Sequence, residues 1–197
     1  MRKKKSLLKK LELLLLRSKI TSAINQTKDW RCSQTWYQGG KKCECEKYQR
    51  SLIEKITGKE CIKTNDRINI MTKQIINMRA PMIRTDAFDW TEDFDGFQET
   101  DGFQLYYNLK MVCDSGGAQT RTLREVAHFI RNQADYNLEN YQIPKYFINI
   151  LDGDQSSRLY SKFEYILDVP KYKFIKKFIY IGDLHGFIVW FMKLNIQ

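Results

Sequence analysis

Two neighbouring segments hold the residues best suited to chemistry: FDWTEDFDG over residues 88–96 and LYYNLKMVCD over residues 105–114. The alternation of the second predicts a strand with Tyr106, Asn108, Lys110 and Val112 on one face and Tyr107, Leu109, Met111 and Cys113 on the other. If the first segment pairs with it as a hairpin, Asp93 or Asp95 comes to lie beside Asn108 and Lys110. A carboxylate, an amide oxygen and a lysine in one small volume suit metal-assisted phosphodiester hydrolysis. The two oxygens of Asp95 and Asn108 would hold a hard cation such as Mg²⁺, which polarises a phosphate and lowers the pKa of a bound water. Lys110 would orient that water or offset developing charge. An Asp at a strand start and a Lys on a strand face are also ordinary surface residues, so spacing alone leaves both readings open. Neither Asp95 nor Lys110 falls on an obvious apolar face, so both are expected to be dispensable for folding.

Past the strand, DSGGAQTRTLREV (residues 114–126) turns into a helix. Gly116 and Gly117 at its entrance either offer backbone N–H groups to an anion or simply make a tight turn. Arg121, Arg124, His128 and Arg131 lie largely off the apolar face made by Leu123, Val126, Ala127 and Ile130. Beside a nuclease centre, Arg121 and Arg124 are expected to contact phosphate or guanine. Thr122 and Glu125 fit a capping box, which gives Glu125 a structural task; a metal-site role is its alternative.

Asp95 followed after a hairpin by Asn108-Leu109-Lys110 resembles the signature of the PD-(D/E)XK nuclease superfamily. The run YYNLKMVCDSGGAQTRTLREVAHFI is similar to the catalytic strand, turn and helix of type II restriction endonucleases of bacteria and large DNA viruses. The likeness covers about residues 84–197 and departs from the pattern at Asn108, where an acid or glutamine is usual, and at Phe94, where the proline would stand. It implies Mg²⁺-dependent cleavage of double-stranded DNA at a short specific sequence. It also implies Asp95, Asn108 and Lys110 as catalytic residues, Asp95 and Asn108 as metal ligands, a homodimer, and a companion DNA methyltransferase. Two rivals stand beside it: a DNA-binding protein of the same fold without the chemistry, and a membrane-surface or virion structural protein.

The elements that must position these residues follow from pattern. The chain has 197 residues, 43% of them hydrophobic, enough for one globular domain with a core. Its formal net charge of +10 points to an anionic partner, nucleic acid above all. Residues 5–24 read as a basic amphipathic helix with Leu8, Leu11, Leu15 and Ile20 turned onto the domain; residues 29–42 read as irregular. A helix over Glu44–Thr57 ends on Gly58. Another is expected from Asp66, with Ile68, Met71, Ile75 and Met78 buried, until Pro81 stops it. Strands are expected over Phe88–Phe94 and Gln104–Cys113, joined through the Gly96–Gly102 region, then a helix over Thr122–Gln133 and a buried strand over Tyr146–Leu151. Asp152-Gly153-Asp154 turns into a helix that Ser156 or Ser157 opens and that bears Leu159, Phe163 and Ile166. A strand over Lys176–Gly182 and a helix over His185–Leu194 close the chain. The whole predicts an α/β fold like that of the restriction endonucleases, a central mixed sheet flanked by helices, with residues 1–83 as a helical N-terminal layer and 84–197 as the nuclease core.

Other chemistries lack their signals. Cys32, Cys43, Cys45 and Cys61 have no ribbon or finger spacing, and with Cys113 they read as unpaired thiols rather than a zinc site. His128 and His185 are too separate for a histidine metal site. No G-X-S-X-G elbow or phosphate-binding P-loop occurs. No run approaches the ~18 apolar residues of a membrane span, so a cytoplasmic protein with no membrane partner is expected.

Overall fold

A computed structural model describes residues 2–40, 43–77, 89–100 and 102–194. It is α/β, with a mixed four-stranded sheet between helical layers. The sheet runs in the order β3 (Gly96–Thr100), β4 (Phe103–Met111), β5 (Tyr146–Asp152), β6 (Ile179–Gly182). β3 and β4 are antiparallel; β4, β5 and β6 are parallel. The central strands are buried on both faces, and their side-chain alternation divides the interior into two cores. Tyr106, Val112, Phe147 and Leu151 pack against α4 (Gly117–Glu139) and α6 (Tyr160–Leu167). Tyr107, Leu109, Ile148 and Ile150 meet α3 (Glu44–Thr57) and α7 (Leu184–Leu194) on the other face, where α1 (Arg2–Lys19) is added.

Several elements fall where pattern places them, because local chemistry and burial agree. α3 spans Glu44–Thr57 and ends on Gly58 at φ 74°, the left-handed conformation that glycine adopts without steric cost. β5 is buried from Phe147 to Asp152, and α7 begins within one residue of its expected start. Gly153, at φ 93°, lies so close to β4 that an added Cβ would stand 2.2 Å from the Val112 carbonyl oxygen. That approach lets Val112 N–H donate to the Asp152 carbonyl and its own carbonyl accept from Gln155 N–H, locking the ends of β4 and β5 together.

Other elements differ. In place of a helix from Asp66 there is a small antiparallel pair, β1 (Asp66–Ile68) and β2 (Ile75–Asn77). The Asn69 side-chain oxygen accepts from the Met71 and Thr72 N–H groups, and Lys73 takes φ 53°, so the chain reverses where a helix would have continued. Met71 is 74% exposed rather than buried; Met78 and Pro81 lie outside the described residues. Residues 91–94 are not a strand. They run alongside β1 through Thr91 N–H to Ile68 O and Phe94 N–H to Asp66 O, and the strand of the hairpin is Gly96–Thr100, the segment expected to be its loop. α4 starts at Gly117, so Thr122 and Glu125 sit inside it and form no capping box. Its Gly116 cap has no side-chain hydrogen bond.

The segment after Ser156 is two short helices, α5 (Asp154–Ser157) and α6, not one. The 29–42 stretch includes part of α2 (Lys28–Cys32), capped by Thr27 Oγ1 accepting from Trp30 N–H at 3.2 Å. In α1 the inward residues are Leu13 and, beyond its end, Ile20; Leu8, Leu11 and Leu15 are half-exposed or more and face outward. α1 carries leucines on two sides, and the docking against α7 decides which side is covered. Among the described residues no helix is long and apolar enough to cross a membrane.

Candidate active site

The centre of the candidate site is made where the chain enters β3. Asp95 N–H donates to the Tyr107 carbonyl at 2.8 Å, which pins the backbone to β4. Its carboxylate then folds back so that Oδ2 accepts from Leu109 N–H at 2.8 Å and lies 3.3 Å from Lys110 Nζ. Lys110 also reaches Glu92 at 3.2 Å. The Asp95 and Lys110 side chains are only 14% and 18% exposed, so the expectation that they stand apart from packing is corrected: each is a largely buried charge whose partner is the other. Asp93, the alternative acid, is instead paired with Arg67.

Burial lifts the Asp95 carboxyl above the ordinary carboxylate range, against the opposing pull of Lys110 and the Leu109 N–H. Burial alone would lower Lys110, but Asp95 and Glu92 outweigh it and hold the ammonium above the usual lysine value. The direction that follows from the geometry is a lysine kept protonated at neutral pH between two acids.

Lys110 forms part of a cleft of about 250 Å³ at the carboxyl end of β4. Cys45 and Glu46, from the first turn of α3, face it from one side, and Gln119 and Thr122 of α4 from another. Arg31 of α2 and Asp114 complete the rim. Glu46 is near enough to Asp95 to raise its carboxyl further. Cys45 and Cys113 also line the cleft, and burial pushes their thiols up to about 11 and about 12, so they stand there as neutral groups. All five cysteines are free.

Of the residues singled out in sequence, Asp95 and Lys110 are brought together. Asn108 lies between their positions along β4 but turns its side chain into the interior. It is fully buried and donates Nδ2–H to Asn149 Oδ1 at 3.0 Å, and Gln133 of α4 donates to the same oxygen. Its own Oδ1 is buried without a hydrogen-bond partner. Arg121 is exposed and 3.7 Å from Glu125 one turn away. Arg124 is exposed on α4, and Gly116 and Gly117 stand at that helix's start.

Sequence reasoning passed over Glu46 and Arg31. Both are far from residues 95–110 in the chain, and a charged residue in a helical first turn or a short helix carries no pattern that announces a cleft.

Among the described residues no group of three or more His, Cys, Asp or Glu side chains is placed to hold a metal ion. The acidic oxygens around Lys110 belong to Asp95, Glu92 and Glu46, hard donors whose chemistry fits Mg²⁺ better than a soft ion. They do not converge as a ready-made ligand set. In comparison with known proteins, no family model, no curated protein and no solved structure matches this chain significantly.

Proposed function

We propose that this chain is a divalent-cation-dependent nuclease acting on double-stranded DNA, with Asp95 and Lys110 at its centre. The observation that carries the reading is the buried Asp95–Lys110 pair beside an open cleft at the carboxyl end of β4. The net charge of +10 suits a polyanionic substrate. In hydrolysis a water oxygen bonds to phosphorus as one bond from phosphorus to a sugar oxygen breaks, and the departing oxygen gains a proton. Lys110, kept protonated by its two acids, places positive charge where the phosphate becomes more negative. Asp95 orients that lysine and, were a cation bound, would be the carboxylate nearest to hold it. Mg²⁺, when bound, would neutralise phosphate charge and acidify water.

A second reading, a DNA-binding protein without cleavage, is favoured by the commitment of Asn108 to the buried amide cluster rather than to the cleft. Incubation of a sequenced plasmid with the protein and Mg²⁺, against an EDTA control, separates the two. Discrete fragments that require the cation support the nuclease. A shifted but intact plasmid supports the second reading, and neither cutting nor binding removes both.

A further inference from the structure

Arg31 is a cleft cation that makes no close ion pair with the described carboxylates, although it lies near enough to Asp114 to help hold that carboxyl below its ordinary range. Lys110 is held by Asp95 and Glu92. Asp114 is held by Lys28 at 3.3 Å and by Ser115 N–H. The Arg31 guanidinium makes no ion pair or side-chain hydrogen bond among the described residues, and its Nε is shut off from solvent without a partner. Leaving a charged donor so costs stability, because the hydrogen bond it made to water in the unfolded chain is not replaced.

The side chain is nevertheless held in place. Its guanidinium lies over the Tyr37 ring, 5.0 Å from the centroid. Tyr37 packs edge-on against Trp36, which stacks on Tyr48 of α3 at 4.3 Å. A cation fixed by aromatic packing, facing a cleft, and short of an acceptor is organised in advance for an oxyanion. Gln119 and Thr122 across the cleft add neutral polar groups.

We propose that Arg31 is the anion-binding group of this cleft and that its ligand is a phosphate group. That the phosphate belongs to a DNA strand rests on the nuclease reading; the anion site itself does not. The planar guanidinium takes two oxygens of one phosphate side by side, which a lysine at the same position would not reproduce.

The test uses the 197-residue chain at constant ionic strength and the variants Arg31→Gln, Arg31→Lys and Arg131→Gln, each checked for folding by circular dichroism. Arg131, on the far side of α4 from the cleft, controls for loss of one positive charge. Calorimetric titration with inorganic phosphate and with a 5′-phosphorylated dinucleotide should give a Kd at least tenfold weaker for Arg31→Gln. Arg31→Lys should fall in between, and Arg131→Gln should change less than twofold. The proposal is overturned if the parent binds neither probe, if Arg31→Gln binds them as the parent does, or if Arg131→Gln weakens binding equally.

Duplex DNA titrated in EDTA to read binding, and incubated with Mg²⁺ to read cleavage, gives the separate arm. Phosphate binding that depends on Arg31, in a protein that neither binds nor cuts duplex, keeps the anion site and removes the nuclease reading. Cleavage by Arg31→Gln with unchanged KM keeps the nuclease reading and removes Arg31 from it.

Discussion

Asp95 and Asp152 are both carboxylates drawn into the interior at the sheet, and they are held in opposite ways. Asp95 meets a cation, Lys110, and a backbone N–H at the edge of a cleft. Asp152, fully buried at the end of β5, meets neutral donors among the described residues: Gln49 Nε2–H at 2.8 Å, Leu184 N–H at 3.3 Å and the Gln26 amide, with a second acid, Asp183, nearby. Burial is the leading cause of an upward shift for each, but Asp152 has no cation to oppose it and is pushed up to about 7. What replaces the lost water therefore decides whether a buried acid keeps its charge. A charge held beside a lysine at a cleft can act on a substrate; one held by an amide in the core ties secondary structure together. Gln49 donates to the Lys110 carbonyl as well as to Asp152, so the second carboxylate helps secure α3, and with it Glu46, against β4, the strand that carries the partner of the first.

The largest effect that tests this contrast is on cleavage. Asp95→Ala or Lys110→Ala should reduce metal-dependent plasmid cutting by two or more orders of magnitude. Lys110→Ala leaves the Asp95 carboxylate buried without its cation and should lower unfolding free energy by roughly 1–3 kcal/mol, whereas Asp95→Ala leaves Lys110 paired with Glu92 and should cost less. The double variant should lose less stability than the two singles together. Cutting at the parental rate by both singles would remove the assignment.

Asp152 should dominate a pH effect instead. A folded-state pKa of about 7 against an ordinary value of 3.8 means that the native state holds a proton the unfolded chain has lost. Stability from this group is then present below about pH 4 and declines as pH rises to about 7, by an amount on the order of 4 kcal/mol if the full shift is expressed. Denaturant melts of Asp152→Asn between pH 4.5 and 8 should lack that decline, and an identical slope in parent and variant would show that Asp152 is not the titrating group. The smallest structural effect belongs to exposed Arg124: Arg124→Ala should leave stability within about 0.5 kcal/mol. It should weaken duplex binding at low salt severalfold, as read by anisotropy, and unchanged binding would make it solvated surface.

How much of this was legible in sequence varies with the range of the causes. α3 and its Gly58 stop and the two-faced alternation of β4 depend on local periodicity and a turn residue, written in consecutive residues; the nearness of Asp95 to Lys110 follows from a hairpin whose first strand is Gly96–Thr100 and not, as pattern predicts, Phe88–Phe94. The β1–β2 pair was misread because Ile68, Met71 and Ile75 have helical spacing, while the deciding group is one amide side chain, Asn69, that satisfies two backbone N–H groups of a turn. The capping box was misread because its residue pattern also occurs within a helix that has already begun. Which leucines of α1 face inward could not be read from a helix apolar on two sides.

The sequence by itself determined the α/β class, the basic character and the acid–lysine pair, since composition, alternation and a short hairpin act over a few residues. Only the tertiary structure decided that Asp95 and Lys110 are buried against each other and that Asn108 joins Asn149 and Gln133 rather than the cleft. It alone brings Arg31 and Glu46, dozens of residues upstream, to face Lys110. Those outcomes come from packing α2, α3 and α4 around the end of β4, and burial, which sets the charge state and partners of each polar group, is a property of that packing rather than of any segment.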